Sequence, residues 1–199
     1  MIVIFALGNP GKKFQFTRHN IGFQIADKLI QDFNISPSQK DKNKEIYKGA
    51  IGNFNCLIVK PLTFMNLSGN TVRQITSFYK IDLEECWVLH DDLDLMFGKI
   101  KVKSGGSNGG HKGLESIDVL NGNQYNRLRF GIGRPSKKNL VEKYVLNKFN
   151  VQEKKTVLQA VQLISDNFYL LLDKKKEKFI TKISQELNTK KKNLKANGF

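Results

Sequence analysis

Cysteine, histidine and long apolar runs are all scarce in this chain of 199 residues. The two cysteines, Cys56 and Cys86, lie inside short apolar runs, which favours buried reduced thiols over a disulfide framework. No apolar stretch approaches the length that spans a bilayer. Pro10 and Gly11 end the first apolar run too early for a signal peptide. We therefore expect a cytoplasmic protein with no membrane partner.

Acidic residues are also scarce, since 18 Asp and Glu stand against 33 Lys and Arg, for a formal net charge of +15. Residues 174–199 hold nine lysines and two glutamates, and residues 1–173 hold 24 basic and 16 acidic residues. A positive surplus in both parts indicates a polyanionic partner, with nucleic acid favoured over a membrane surface. The alternative explanation is a codon bias towards lysine.

Short apolar runs alternate with segments of helical spacing, which predicts an α/β fold in one domain. Strands are predicted at residues 2–7, 55–60, 86–90, 98–103 and 127–133. Helices are predicted at residues 20–33, 66–79 and 151–172, and the polar segment 36–45 is predicted to be a loop.

Residues 174–199 form a separate basic extension after a main domain at residues 1–173. Phe179, Ile183 and Leu187 recur at helical spacing, which predicts a basic amphipathic helix over part of the extension. Lys190–Lys192 are expected to form a solvated charged end. The extension is either a plain C-terminal tail or an RNA contact.

Four polar clusters follow predicted strands. Loops at the carboxyl ends of strands in an open α/β sheet meet in one crevice, so these clusters predict a common site. The clusters are the block from Gly8 to Gly22 with Asn9 and His19, residues 60–69 with Asn66, residues 90–94 with His90 and Asp91, and the glycine-rich residues 103–113 with His111 and Lys112.

Nucleotide and metal chemistry are poorly supported by these clusters. The glycine-rich loop lacks the Gly-Lys-Ser/Thr ending of a phosphate-binding loop. Gly131-Ile132-Gly133 begins like a dinucleotide turn, but Pro135 stands where the helix would open. The three histidines with the aspartates at 91, 92 and 94 form a conceivable mixed metal site, yet no ligand pair has the spacing i, i+4.

Metal-free acid–base chemistry remains. A histidine accepts a proton from water near neutral pH, and a carboxylate fixes its tautomer. Amide side chains position a polar substrate and stabilise a developing oxyanion. His19, Asp91, Asn9 and Asn66 supply these groups, and no nucleophile signature is present, so water is the expected attacking group. Spacing alone indicates a hydrolase and nothing finer.

Five motif blocks in order make the chain resemble the bacterial peptidyl-tRNA hydrolase family, over about residues 2–149. The blocks are Gly8-Asn9-Pro10-Gly11 with Thr17-Arg18-His19-Asn20, Lys60-Pro61 with Thr63 to Gly69, His90-Asp91-Asp92-Leu93-Asp94, Gly109-Gly110-His111, and Arg127 to Gly133. The resemblance implies hydrolysis of the ester that joins a peptide to tRNA, by a monomer without metal or cofactor. It also implies a single α/β domain with a mixed, mostly parallel sheet sandwiched by helices.

Roles for individual residues follow from the same resemblance. It implies that His19 is the general base that activates water and that Asp91 orients it. His90 and His111 are expected to be structural, and residues 139–149 match the segment that forms a mobile lid. The substrate-binding residues it implies are Asn9, Phe14, Phe64, Met65, Asn66 and Lys112, and those it implies for a tRNA phosphate are Lys103 and Arg129.

Two departures from the family pattern stand in this set. Phe14 replaces the usual Tyr, which removes one hydroxyl, and Lys112 replaces the usual Asn after Gly-Gly-His. Lysine has donors but no acceptor, so we expect Lys112 either to turn out of the cleft or to take over part of the donor role.

Two alternatives to this enzyme remain. A non-catalytic RNA-binding protein on the same fold would share the basic charge but would not need the pair of His19 and Asp91. A small-molecule hydrolase is disfavoured by the charge, and it predicts an activity indifferent to salt.

Overall fold

The protein, seen in a computed structural model that describes residues 1–196, is built on one sheet of seven strands. The strands are β1 (Ile2–Ala6), β2 (Ser36–Lys40), β3 (Lys44–Ile51), β4 (Phe54–Pro61), β5 (Cys86–Asp92), β6 (Ile100–Ser104) and β7 (Asn126–Gly131). They lie in the order β2-β3-β4-β1-β5-β7-β6.

The centre of the sheet is parallel and its two edges are antiparallel. Strands β4, β1, β5 and β7 pair in parallel, whereas β2 with β3, β3 with β4, and β6 with β7 pair antiparallel. The mixed α/β sheet predicted from the family resemblance is thereby confirmed. The four parallel strands end at the same edge of the sheet, where the loops after β1, β4 and β5 meet.

Helices cover both faces of the sheet. They are α1 (Ile21–Asp32), α2 (Ser68–Tyr79), α3 (Lys112–Asn121), α4 (Val141–Leu146), α5 (Val151–Asn167), α6 (Tyr169–Leu172) and α7 (Lys176–Ala196). Because side chains alternate along a strand, Ile4 and Leu89 pack with α1, α5, α6 and α7, while Val3 and Val88 pack with α2 and α3. The sheet is therefore buried on both sides.

The prediction that residues 36–45 form a loop is wrong. Ser36–Lys40 form the edge strand β2, and β3 begins at Lys44. All five residues of β2 are exposed, so no apolar pattern marks the strand, which is held by its backbone pairing with β3 and by the ion pair of Lys40 with Glu45. Pro37 is tolerated because an edge strand leaves one side of its backbone unpaired.

The C-terminal segment packs against the main domain through α7. Phe179 and Ile183 are buried in the core, and Leu187 is partly buried against it. The predicted solvation of the lysines at 190–192 concerns side chains outside the described set, and residues 197–199 lie outside the described residues altogether.

Both cysteines are buried and free, as the sequence predicts. Burial raises the pKa of the Cys56 thiol to about 11 and that of the Cys86 thiol to about 12. Over residues 1–196, no helix combines the length and the apolar character needed to cross a membrane.

Candidate active site

His19 is held at the carboxyl edge of the sheet by a double hydrogen bond between two loop segments. Asn20 accepts from the Asn9 backbone N–H at 2.9 Å and donates from Nδ2 to the Asn9 carbonyl at 2.8 Å. Gly22 then brings the start of α1 against the strand ends, since a Cβ there would lie 2.4 Å from the Leu89 carbonyl oxygen. The side chain of His19 thereby reaches the end of β5.

Asp91, near the end of β5, contacts two imidazoles through one carboxylate oxygen. Its Oδ1 lies 2.8 Å from His19 Nδ1 and 3.0 Å from His111 Nε2, and the residue is only 2 % exposed. Burial opposes a charge on Asp91, but the two imidazoles outweigh it and hold the pKa of the carboxyl well below its usual range. Asp91 is therefore a carboxylate at neutral pH.

Hydrogen bonds assign the tautomer of each ring. His111 caps α3, and its Nδ1 accepts from the backbone N–H groups of Gly113 and Leu114 at 3.1 and 3.3 Å. Its proton is therefore on Nε2, which donates to Asp91. The same carboxylate accepts from His19 Nδ1–H, which leaves the Nε2 lone pair of His19 free to take a proton from water.

The same three residues are the cluster best suited to a metal ion within residues 1–196, because their ligand atoms all lie within 4.8 Å of one another. A His2Asp set suits zinc. The tautomer opposes ligation, however, because His111 Nε2 carries a proton while Nδ1 is occupied by two backbone donors. The arrangement fits acid–base chemistry better than metal binding.

Predicted substrate-binding residues from two loops meet in one cleft of about 1420 Å³ that also holds His19 and Asp91. Asn9 Oδ1 accepts from the Met65 backbone N–H at 2.9 Å, so its Nδ2 donor is left for the cleft. Asn66 is exposed in the cleft, and Phe64 is 59 % exposed beside it. The cleft thus offers two amides next to an apolar wall.

Both predicted phosphate ligands also line this cleft. Lys103 is exposed and has no acidic partner within 4 Å among the described residues, whereas Arg129 Nε lies 2.7 Å from Asp92 Oδ2. The lining of the cleft therefore includes one lysine without an acidic partner in the described part of the chain and one arginine paired with a carboxylate.

The two residues that depart from the family pattern occupy different environments. Lys112 is at the mouth of the cleft, but its Nζ pairs with Glu115 Oε2 at 2.9 Å and its side chain is 68 % exposed. Phe14 is not among the residues that line the cleft, and its ring lies under the Lys13 ammonium.

One contribution to the site does not follow from the sequence. The sequence predicts a structural His111, and its cap on α3 is structural, yet its Nε2 also bonds the carboxylate of Asp91. No spacing in the sequence signals this contact, because it depends on how distant loops meet. Val141 and Val145 of α4 form one wall of the cleft, and they lie in the segment 139–149 that the resemblance matches to a lid.

His90 is a third imidazole, buried behind the other two. Its Nδ1 lies 2.7 Å from the Asp91 carbonyl oxygen, and its buried Nε2 has no partner among the described residues. Burial, with the neighbouring His111 imidazole, lowers the pKa of His90 to about 3.

This lowered pKa makes stability depend on pH. Between about pH 3 and the unfolded value of about 6.5, the unfolded chain binds a proton at His90 that the folded chain does not. The contribution of the neutral His90 to the free energy of unfolding is therefore complete above about pH 6.5. As the pH falls below this value, the contribution decreases by about 1.4 kcal/mol per pH unit. Urea unfolding from pH 4.5 to 6.5 should show a shallower slope for His90→Asn than for the wild type. Equal slopes would contradict a neutral buried His90, since every other titratable group is the same in both proteins.

Comparison with known proteins identifies the family of the chain. A family model described as "Peptidyl-tRNA hydrolase" matches residues 3–194. The chain belongs to the peptidyl-tRNA hydrolase family. It is 47% identical over 184 residues to a peptidyl-tRNA hydrolase of Rickettsia canadensis (strain McKiel) and 48% identical over 184 residues to one of Rickettsia felis, in each case over 92% of this chain and 100% of the relative.

A solved structure of the family shares the fold. The crystal structure of the peptidyl-tRNA hydrolase from Acinetobacter baumannii matches with a TM-score of 0.87 and 33% identity, over 92% of this chain and 94% of that one. The family resemblance predicted from the motif blocks is therefore confirmed.

Proposed function

We propose that the chain hydrolyses the ester bond between the peptide and the tRNA of peptidyl-tRNA. The observation that carries the proposal is the 2.8 Å contact between His19 Nδ1 and Asp91 Oδ1 inside the cleft. Membership of the peptidyl-tRNA hydrolase family supplies the substrate class.

His19 is the proposed general base. Its free Nε2 takes a proton from a water molecule that attacks the ester carbonyl, and Asp91 stabilises the imidazolium that forms. General-base catalysis of this kind contributes about 10²–10⁴-fold to a rate. His111 Nε2–H holds the shared carboxylate oxygen of Asp91 in place.

The amides of Asn9 and Asn66 hold the substrate near the scissile ester. Asn9 Nδ2 is a suitable donor to the carbonyl oxygen, because Met65 N–H occupies its Oδ1. Neither amide titrates, so their hydrogen bonds remain the same across the pH range in which His19 works.

Different residues of the cleft suit the two parts of the substrate. Lys103 and Arg129 are proposed to bind a tRNA phosphate, although Asp92 offsets part of the charge of Arg129. Phe64 and Met65 line the side proposed for the peptide. We place the reaction in residues 1–173, acting as a monomer in the cytoplasm without metal or cofactor.

The RNA-binding alternative is not favoured. RNA binding alone does not require a buried carboxylate that is shared between two imidazoles. Asp91 is also too buried to contact an RNA backbone directly. The relatives that match over their full length are also named as hydrolases.

Peptide release from N-acetyl-aminoacyl-tRNA, with a chelator present, tests the proposal. We expect release that slows steeply between roughly 50 and 200 mM salt, because phosphate contacts release counterions. Release that ignores salt would favour a small-molecule hydrolase. No release, with tRNA still bound, would favour the RNA-binding alternative.

A further inference from the structure

The residue before the proposed base is a buried arginine that the mechanism does not use. Arg18 is 7 % exposed, and it is not among the residues that line the cleft. Its Nη2 lies 2.7 Å from both carboxylate oxygens of Glu153, and its Nη1 donates to the Lys148 carbonyl at 2.7 Å. A buried arginine with this many partners joins distant parts of the chain.

Aromatic rings and backbone bonds complete the setting of Arg18. Its guanidinium lies 4.5 Å from the centre of the Tyr144 ring and 5.2 Å from that of Phe149. Its own backbone N–H donates to the Asn147 carbonyl at 3.1 Å. The segment 147–149 therefore contacts Arg18 through both its side chain and its backbone.

The partners of Arg18 belong to the wall of the cleft. Tyr144 lies in α4, the helix that gives Val141 and Val145 to the cleft, and its hydroxyl donates to the Ile132 carbonyl. Glu153 lies in the first turn of α5, where it also accepts from the Asn150 N–H at 2.8 Å in a capping box. Arg18 thus connects the short turn that carries His19 to α4 and to the start of α5.

We propose that Arg18 is a positioning residue that fixes His19 relative to the α4 wall of the cleft. The inference rests on the proposed function, in which His19 is the base. A planar guanidinium fork holds two partners in fixed directions, which a lysine ammonium does not. Loss of the fork lets the turn at His19 shift, and a displacement of about 1 Å at a reacting group costs about 10²-fold in rate.

Arg18→Lys tests the proposal, with Lys44→Gln as the matched control. Lys44 is also a buried cation bonded to a carboxylate, Asp41 at 2.7 Å, but it lies in β3 outside the cleft. We expect Arg18→Lys to lower kcat for N-acetyl-aminoacyl-tRNA by about 10²-fold, with KM within about twofold. Lys44→Gln should lower the thermal midpoint and leave kcat unchanged.

A second variant covers the case in which Arg18→Lys does not fold. Glu153→Gln keeps the shape of the partner and removes its charge, so we expect a smaller fall in kcat and a changed ¹⁵N resonance of His19 Nδ1. Equal kcat and an unmoved His19 resonance in the folded variants, or the same kcat loss in Lys44→Gln, would overturn the positioning role. A wild type that releases no peptide would instead overturn the proposed function.

Discussion

Replacing Asp91 by Asn is expected to lower kcat for peptide release by at least about 10²-fold. The carboxylate oxygen of Asp91 accepts one N–H from His19 and one from His111. An asparagine at 91 keeps an oxygen that can accept both N–H groups, but that oxygen is neutral. The imidazolium that forms when His19 takes a proton from water then lacks the negative charge that stabilises it.

Steady-state kinetics of Asp91→Asn beside Asp94→Asn measure this effect. Asp94 lies in the same loop, is paired with exposed Arg134, and contacts neither imidazole. Its variant should keep a kcat close to that of the wild type. A loss of less than about tenfold in Asp91→Asn would show that the negative charge of Asp91 does not stabilise the His19 imidazolium.

Gly69→Ala is expected to lower the free energy of unfolding by about 3 kcal/mol, because the added methyl group has no space between two packed helices. Gly69 lies where α2 crosses α3, and a Cβ there would stand 2.0 Å from the Ser116 carbonyl oxygen. The obstacle is backbone, so no side-chain rotation relieves it. The two helices must separate, which also moves Asn66 and His111 at their amino-terminal ends.

Urea unfolding of Gly69→Ala and Ser77→Ala gives the measurement and its control. Ser77 is exposed on the same helix, so its replacement should change the unfolding free energy by less than about 0.5 kcal/mol. A midpoint for Gly69→Ala equal to that of the wild type would contradict the close crossing of α2 and α3.

Buried elements of the fold are readable from the sequence, and exposed ones are not. The runs at 2–7, 55–60 and 86–90 predict β1, β4 and β5 to within two residues, because a strand buried on both faces is a nearly continuous apolar run. Strand β2 is not predicted in this way, because all its residues are exposed and its hydrogen bonds are made with β3.

The candidate site is predictable as far as it depends on strand ends. Asn9, His19 and Asn66 follow β1 and β4, and Asp91 lies near the end of β5, so the topology alone brings them to one edge. The second imidazole on Asp91 is not predictable in this way. It depends on a glycine-rich loop whose glycines adopt positive φ, a conformation that leaves no periodic pattern in the sequence.

The contacts of Arg18 could not be predicted from the sequence, for a different reason. Its carboxylate partner is 135 residues away in the chain, and nothing in either local sequence pairs them. Only the packing of α5 beside the turn at His19 makes the ion pair.

The His19→Ala variant in the peptide-release assay tests the central claim most directly. With chelator present, the wild type should release peptide from N-acetyl-aminoacyl-tRNA, and the variant should be slower by at least about 10²-fold while it still binds tRNA. Equal rates in the two proteins would contradict the assignment of His19 as the base. Release that stops when the chelator is added would contradict metal-free hydrolysis by the pair of His19 and Asp91.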